Sequence, residues 1–207
     1  MLILQKMGNK ELFKIKLSIN KNMLNKANPS IYGWRNIEYT GQELASHIQN
    51  GFAFSPGILK ANANGKKPSI NDIDSAQILA IDIDNDIKSY NSITKKFNKR
   101  IKSKIEGYIT YEEAIKDPFI IENALLVYTT PSHQENFHRF RIVFVIEQFI
   151  RYAEVYRNLI IPLIERFGGD KSCSNIDRLF YGNSNCKLEY FGNLLNQEFL
   201  IINQLLL

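Results

Sequence analysis

The sequence predicts an α+β domain in which mixed or antiparallel sheets are flanked by helices. Three observations predict it. Strand-like and helix-like segments follow one another in mixed order, the pattern of an α+β fold. The run Ile78-Leu79-Ala80-Ile81 is continuously apolar, as in a strand buried on both faces. Two Thr-x-x-Glu spacings, Thr40 with Glu43 and Thr110 with Glu113, have the form of capping boxes that open helices. The chain has 207 residues, 44% hydrophobic and 23% charged, which suits a globular domain and not a disordered or collagen-like chain. No repeat, linker or composition break divides it, so residues 1–207 are expected to form one domain.

Residues 12–17 alternate loosely and read as a strand, and 20–30 as a loop. The Thr40 box opens a short helix that runs to about Asn50 and stops at Gly51. Phe52-Ala53-Phe54 begins an apolar segment, and 62–68 is a polar loop. The strand over 77–84 follows. In 88–104, Lys88, Lys95, Lys96, Lys99, Arg100, Lys102 and Lys104 occur without an intervening acid. Ile93, Phe97, Ile101 and Ile105 recur every four positions, which predicts an amphipathic helix with a basic face. The Thr110 box opens a short helix that ends before Pro118. Residues 124–129 and 140–146 read as strands joined by a polar turn over 130–136. Residues 149–167 have helical spacing, with Pro162 kinking or splitting the helix and Gly168-Gly169 ending it. Residues 176–181 and 188–191 read as short strands.

No segment approaches the roughly 18–20 apolar residues of a membrane-spanning helix, and Met1-Leu2-Ile3-Leu4 gives way at once to polar residues. Neither a membrane span nor a signal peptide is expected, and the expected location is the cytoplasm. Lysine and arginine total 26 against 21 acids, a formal charge of +5 that suits a polyanionic partner. The two cysteines, Cys173 and Cys186, form no CxxC, so no zinc ribbon is expected. There is no P-loop and no Gly-x-Gly-x-x-Gly, so ATPase and dinucleotide readings lack their phosphate cradle.

Asp82 and Asp84 are the sharpest feature. In a strand, residues i and i+2 share a face. Two carboxylates there repel each other and are costly to desolvate, and a hard divalent cation such as Mg²⁺ or Mn²⁺ would relieve both costs. Asp177 follows Ile176 and is a third carboxylate that could complete a two-metal site for phosphoryl chemistry. Ser132 and His133 lie in the turn, where a histidine can contact a phosphate or move a proton. Arg139 and Arg141 share one strand face, and a guanidinium can grip two phosphate oxygens.

In this order the pieces resemble the catalytic module of the archaeo-eukaryotic primase superfamily, and within it the primase-polymerases of plasmids, phages and other mobile elements. A hydrophobic strand ends in Asp-x-Asp at Ile81-Asp82-Ile83-Asp84. A Ser-x-His-like turn follows at Thr130-Pro131-Ser132-His133, and a hydrophobic residue precedes Asp at Ile176-Asp177. Phe140-Arg141-Ile142-Val143-Phe144 and Asp177-Arg178-Leu179-Phe180-Tyr181-Gly182 also resemble that branch.

The resemblance covers residues 51–190 and implies a primase-type core with a catalytic subdomain related to RNA-recognition modules. An N-terminal portion would span 1–74, the catalytic motifs 75–192 and a tail 193–207. Asp82, Asp84 and Asp177 would hold two Mg²⁺ or Mn²⁺ ions, without zinc. Ser132, His133, Arg141 and Arg178 would contact the nucleoside triphosphate. Lys95, Lys96, Lys99 and Arg100 would track a single-stranded DNA template. The implied activity is template-directed nucleotidyl transfer, as a DNA primase or polymerase in mobile-element replication. A helicase would act in trans or belong to a region outside these residues. The alternatives are a metal-dependent nuclease using the same acids and a non-catalytic single-strand- or origin-binding module.

Overall fold

Antiparallel sheets carry the fold in the computed structural model, which describes residues 13–22, 32–63, 65–92, 94–196 and 198–200. The first sheet has the order β3-β1-β2-β5, from β1 (Ile15–Asn20), β2 (Tyr32–Tyr39), β3 (Ala53–Ser55) and β5 (Gly65–Lys66). The second has the order β11-β9-β10-β6-β4, from β4 (Gly57–Leu59), β6 (Ile73–Ile83), β9 (Ala124–Thr129), β10 (Phe140–Ile150) and β11 (Leu188–Tyr190). The architecture is therefore mixed α/β with antiparallel sheets and few helices. Most of the expected loop at 20–30 lies outside the described residues. Within the polar stretch 62–68, β5 pairs with β2.

The apolar run reads out as expected. β6 is buried at every position except Asp74, because β10 and β4 flank it and helical segments and the first sheet cover it. The sheets are joined by buried polar groups that are satisfied in both directions. Gln77 Oε1 accepts from Lys16 N–H at 2.9 Å, and its Nε2 donates to Glu147 O at 2.9 Å. Ser18 Oγ donates to Gly57 O at 2.6 Å. A buried amide left without such partners would cost about 1–3 kcal/mol.

Both capping boxes form. Thr40 opens α1 (Gly41–Gln49), accepting from Glu43 N–H at 3.2 Å while Glu43 accepts from Thr40 N–H at 2.6 Å. Thr110 does the same for α2 (Tyr111–Ala114). A further helix, α3 (Pro118–Asn123), begins at Pro118, where the ring is tolerated because the first helical N–H has no partner to lose. Asp117 caps it through Phe119 and Ile120 N–H. α4 (Ala153–Phe167) runs through Pro162 as one helix and ends at Gly168, φ 64°. It buries Tyr156, Leu159, Ile160, Leu163, Ile164 and Phe167, a stripe of helical period that packs on the second sheet.

Two expectations fail. The basic stretch 88–104 is not a helix but a hairpin of β7 (Asp86–Asn91) and β8 (Lys96–Ile101). A helix would stack Lys95 on Lys99 and Lys96 on Arg100, like charges one turn apart. The turn has its own chemistry: Asn91 Oδ1 accepts from Thr94 N–H at 3.0 Å, and Lys95 adopts φ 55°. The expected strand over 176–181 is a turn at Ile176 and Asp177 followed by a single bridge between Phe180 and Phe54. That bridge ties the segment to β3 of the first sheet, through N–H···O bonds of 2.8 and 2.9 Å. Among the described residues no helix is long and apolar enough to cross a membrane.

Candidate active site

The site is built on one row of the second sheet. Asp82 is the register partner of Arg141, and Arg141 is the register partner of Tyr128. Asp82 N–H donates to Cys173 Sγ at 3.2 Å, and Asp82 O accepts from Asp170 N–H at 2.9 Å. Both backbone groups thus point away from β10. Asp82 and Arg141 are a non-hydrogen-bonded pair, the geometry that brings opposed side chains closest.

Arg141 Nε donates to Asp82 Oδ1, with the side chains only 8% and 9% exposed. Its Nη1 donates to Tyr128 Oη at 2.8 Å and to Tyr181 O. The guanidinium carbon lies 5.2 Å from the Phe180 ring centroid and 5.5 Å from that of Tyr128. Burial works against the Arg141 cation, but Asp82 and Tyr128 more than offset it and hold its pKa above the ordinary value. Burial pushes the Tyr128 hydroxyl up to about 12, against the pull of Arg141. Burial, reinforced by the Asp82 charge, also pushes Cys173 up to about 12, so it stays a thiol.

A second arginine closes on the same carboxylate. Arg178 Nη2 lies 3.0 Å from Asp82 Oδ2 and 3.6 Å from Asp170 Oδ2, and its Nη1 donates to Ser172 Oγ. Asp170 also faces Lys88 Nζ at 3.7 Å. Burial works against its charge, yet the Ser172 hydrogen bond, Lys88 and Arg178 hold its carboxyl below the usual range.

Beyond the end of β6, Asp84 is 26% exposed and lies 3.8 Å from Arg139. Asp86, only 3% exposed, takes Arg139 Nη2 at 2.7 Å and Lys99 Nζ at 3.4 Å. Asn85 between them is buried, with φ 52°. Its Nδ2 donates to Ile109 O at 2.7 Å and His138 O at 2.8 Å, and its Oδ1 accepts from Ile109 N–H at 3.1 Å. Asn85 therefore pins the acidic turn to the histidine-bearing segment.

His133 Nδ1 lies 3.1 Å from Arg139 N and 3.2 Å from Arg139 O, so it accepts from the first or donates to the second according to its tautomer. In the tautomer that accepts from Arg139 N–H, Nε2 carries the proton, a donor suited to a phosphate oxygen. Burial and the neighbouring His138 ring, 4.9 Å away between centroids, keep the His133 pKa below its ordinary value. Ser132 is exposed, with its Oγ 3.3 Å from Thr130 Oγ1. His138 is half-buried and accepts Tyr111 N–H on Nδ1 at 3.1 Å.

Asp82 therefore touches both Arg141 and Arg178, while Asp84 and His133 both contact Arg139, one at its guanidinium and the other at its backbone. Asp177 is not drawn in this way: it lies, half-buried, in the 176–177 turn, with no ion pair among the described residues. The carboxylate tied to Asp82 is Asp170, which the sequence reading missed. Its signal was faint, an acid directly after Gly168-Gly169. The four basic residues assigned to the template lie on the hairpin. Lys99 pairs with Asp86 and Arg100 with Glu106, whereas Lys95 and Lys96 form no ion pair among the described residues.

For a hard divalent ion, the donors fit in kind. Asp82, Asp84 and Asp170 offer carboxylate oxygens alone, the ligand type of Mg²⁺ and Mn²⁺. In arrangement, guanidinium groups now occupy both Asp82 oxygens. Among the described residues, no three His, Cys, Asp or Glu side chains stand together as a metal-binding group.

No protein-family model matches the chain, and no curated protein matches it. Among solved structures it is similar to the AEP domain of the cyanophage S-2L primase-polymerase (PrimPol). The identity is 10% and the TM-score 0.46, over 97% of this chain and 94% of that one.

Proposed function

We propose that the protein is a nucleotidyltransferase that extends nucleic acid from nucleoside triphosphates on a single-stranded template. The observation that carries this reading is the row Asp82–Arg141 with Arg178 and Asp170 beside it. Carboxylates and arginines stand within a few ångströms of one another, the residue types that could serve a metal-bound triphosphate. The order of motifs in the sequence supports the same reading.

In this proposal Asp82 and Asp84 would hold Mg²⁺ or Mn²⁺ with Asp170 or Asp177 as the third ligand, once the arginines release Asp82 and these acids are drawn together. The metal, when bound, supplies activation of a hydroxyl nucleophile and neutralisation of the departing pyrophosphate. Arg141 and Arg178 transfer their hydrogen bonds from Asp82 to phosphate oxygens. His133 donates from Nε2 to the triphosphate, with Ser132 shaping its turn. Lys88 and Lys99, register partners on one face of the β7–β8 ribbon, look onto Asp170 and Asp86 and add positive potential there. Lys95 and Lys96, at the ribbon tip, contact the template backbone.

One observation favours a second reading, a non-catalytic single-strand-binding module: arginines already satisfy both Asp82 oxygens. Primer extension with Mg²⁺ or Mn²⁺ separates the two. Incorporation that Asp82→Ala abolishes supports the enzyme. Metal-independent binding without incorporation supports the module.

A further inference from the structure

A second basic feature lies outside the acid site. At one end of the first sheet, Asn20, Lys21, Asn22, Gly33, Arg35 and Gly65 line an open depression of about 440 Å³ that also reaches the buried Trp34. No acid lines it. Lys21 and Arg35 are exposed, and neither forms an ion pair among the described residues.

The rim is fixed by hydrogen bonds. Asn20 Nδ2 donates to Tyr32 O at 2.8 Å, and Asn20 Oδ1 accepts from Asn22 N–H at 2.9 Å. Gly33 has φ 86°, and a Cβ there would stand 3.4 Å from Asn22 Nδ2 and 3.5 Å from Asn20 Nδ2. Asn22 is exposed at this rim, whereas Asn20 is buried and gives Nδ2 to Tyr32 O. Two cations and the Asn22 amide around a concavity are the chemistry that holds a phosphate. The depression is open, and its lining is mostly exposed, so it suits a chain passing across better than an enclosed nucleotide, which would be largely buried.

Its position relates it to the acid site. Arg35 is the register partner of Ile19, Ile19 of Phe54, and Phe54 bridges to Phe180, over which the Arg141 guanidinium lies. Three strand spacings separate Arg35 from Phe180, roughly 14 Å. We propose that this depression binds a backbone phosphate of the single-stranded nucleic acid whose reacting end lies at Asp82. The identity of the partner rests on the nucleic-acid reading above; the docking itself requires no catalysis.

The test is fluorescence anisotropy of a labelled oligothymidine without metal or nucleotide. Wild type would be compared with Lys21→Glu/Arg35→Glu, the milder Lys21→Gln/Arg35→Gln, and Lys116→Glu as a charge-matched control on an exposed position elsewhere. The charge reversal should weaken binding at least about tenfold at low salt, and the glutamine pair should lower the slope of log K against log salt by about 0.7 per lost contact. Lys116→Glu should bind like wild type.

Unchanged affinity and slope in the glutamine pair, with a wild-type circular dichroism spectrum, would overturn the proposal. So would a matching loss of nucleoside triphosphate affinity, which would make the depression a nucleotide site. If wild type shows no extension while these variants lose oligonucleotide affinity, docking stands and the catalytic reading fails.

Discussion

Asp82 and Arg141 meet as a buried, non-hydrogen-bonded strand pair, and Arg178 takes the other Asp82 oxygen at 3.0 Å. Arg141, Arg178 and Lys88 set against Asp82 and Asp170 leave a positive balance near the end of β6. Such a place would attract a triphosphate, and it makes the pair a structural element as well as a chemical one.

Removing Arg141 takes from the buried Asp82 its more deeply buried partner and leaves it the partly exposed Arg178. Arg141→Ala should therefore lower unfolding stability by about 3–5 kcal/mol. Arg178→Ala should cost clearly less, because its side chain is 27% exposed and water can replace it. Urea denaturation of the two variants measures the difference; equal losses would contradict the buried-pair account.

His47 should make the fold acid-sensitive. It is 4% exposed, Nε2–H donates to Ala53 O at 3.0 Å, and burial lowers its pKa to about 4. Above the unfolded value near 6.5, both states are neutral and the group adds no pH dependence. Between about 6.5 and about 4 the unfolded chain binds the proton and the folded one does not, so stability falls as pH falls. Below about 4 the loss levels off, at about 3 kcal/mol in all. His47→Gln should flatten this part of a pH–stability profile.

Gly182 holds the arginine row in place from behind. A Cβ there would stand 2.5 Å from Ile48 O and 2.6 Å from Phe52 O, both backbone atoms. The adjoining Tyr181 carbonyl receives Arg141 Nη1. Gly182→Ala should cost about 1–3 kcal/mol through overpacking. It should also weaken triphosphate affinity, which isothermal titration calorimetry reads directly.

The two acids competing for the third ligand position can be separated. Asn at 170 can still cap the Ser172 N–H, so Asp170→Asn tests charge rather than folding. Asp170→Asn should reduce extension at least about 100-fold, with Asp177→Asn closer to wild type. The opposite ranking would return the role to Asp177.

The legible parts of this chain were those governed by local rules. The β6 run, the strands at 124–129 and 140–146 and both Thr-x-x-Glu boxes follow from burial and capping alone. The basic stretch 88–104 misled because apolar residues at four-residue spacing also arise by chance in a ribbon. Its like charges at helical spacing and its Asn91 turn were the contrary signals. Asp170 was missed for a different reason. Its link to Asp82 depends on the 170–173 segment lying along the free edge of β6, a contact between residues some ninety positions apart that no local pattern encodes.

The most direct test of the central claim is extension of a labelled primer on a single-stranded template with nucleoside triphosphates and Mg²⁺ or Mn²⁺. The prediction is metal-dependent lengthening by wild type that Asp82→Ala abolishes. No incorporation by folded wild-type protein with either metal, or equal incorporation by folded Asp82→Ala, would contradict it.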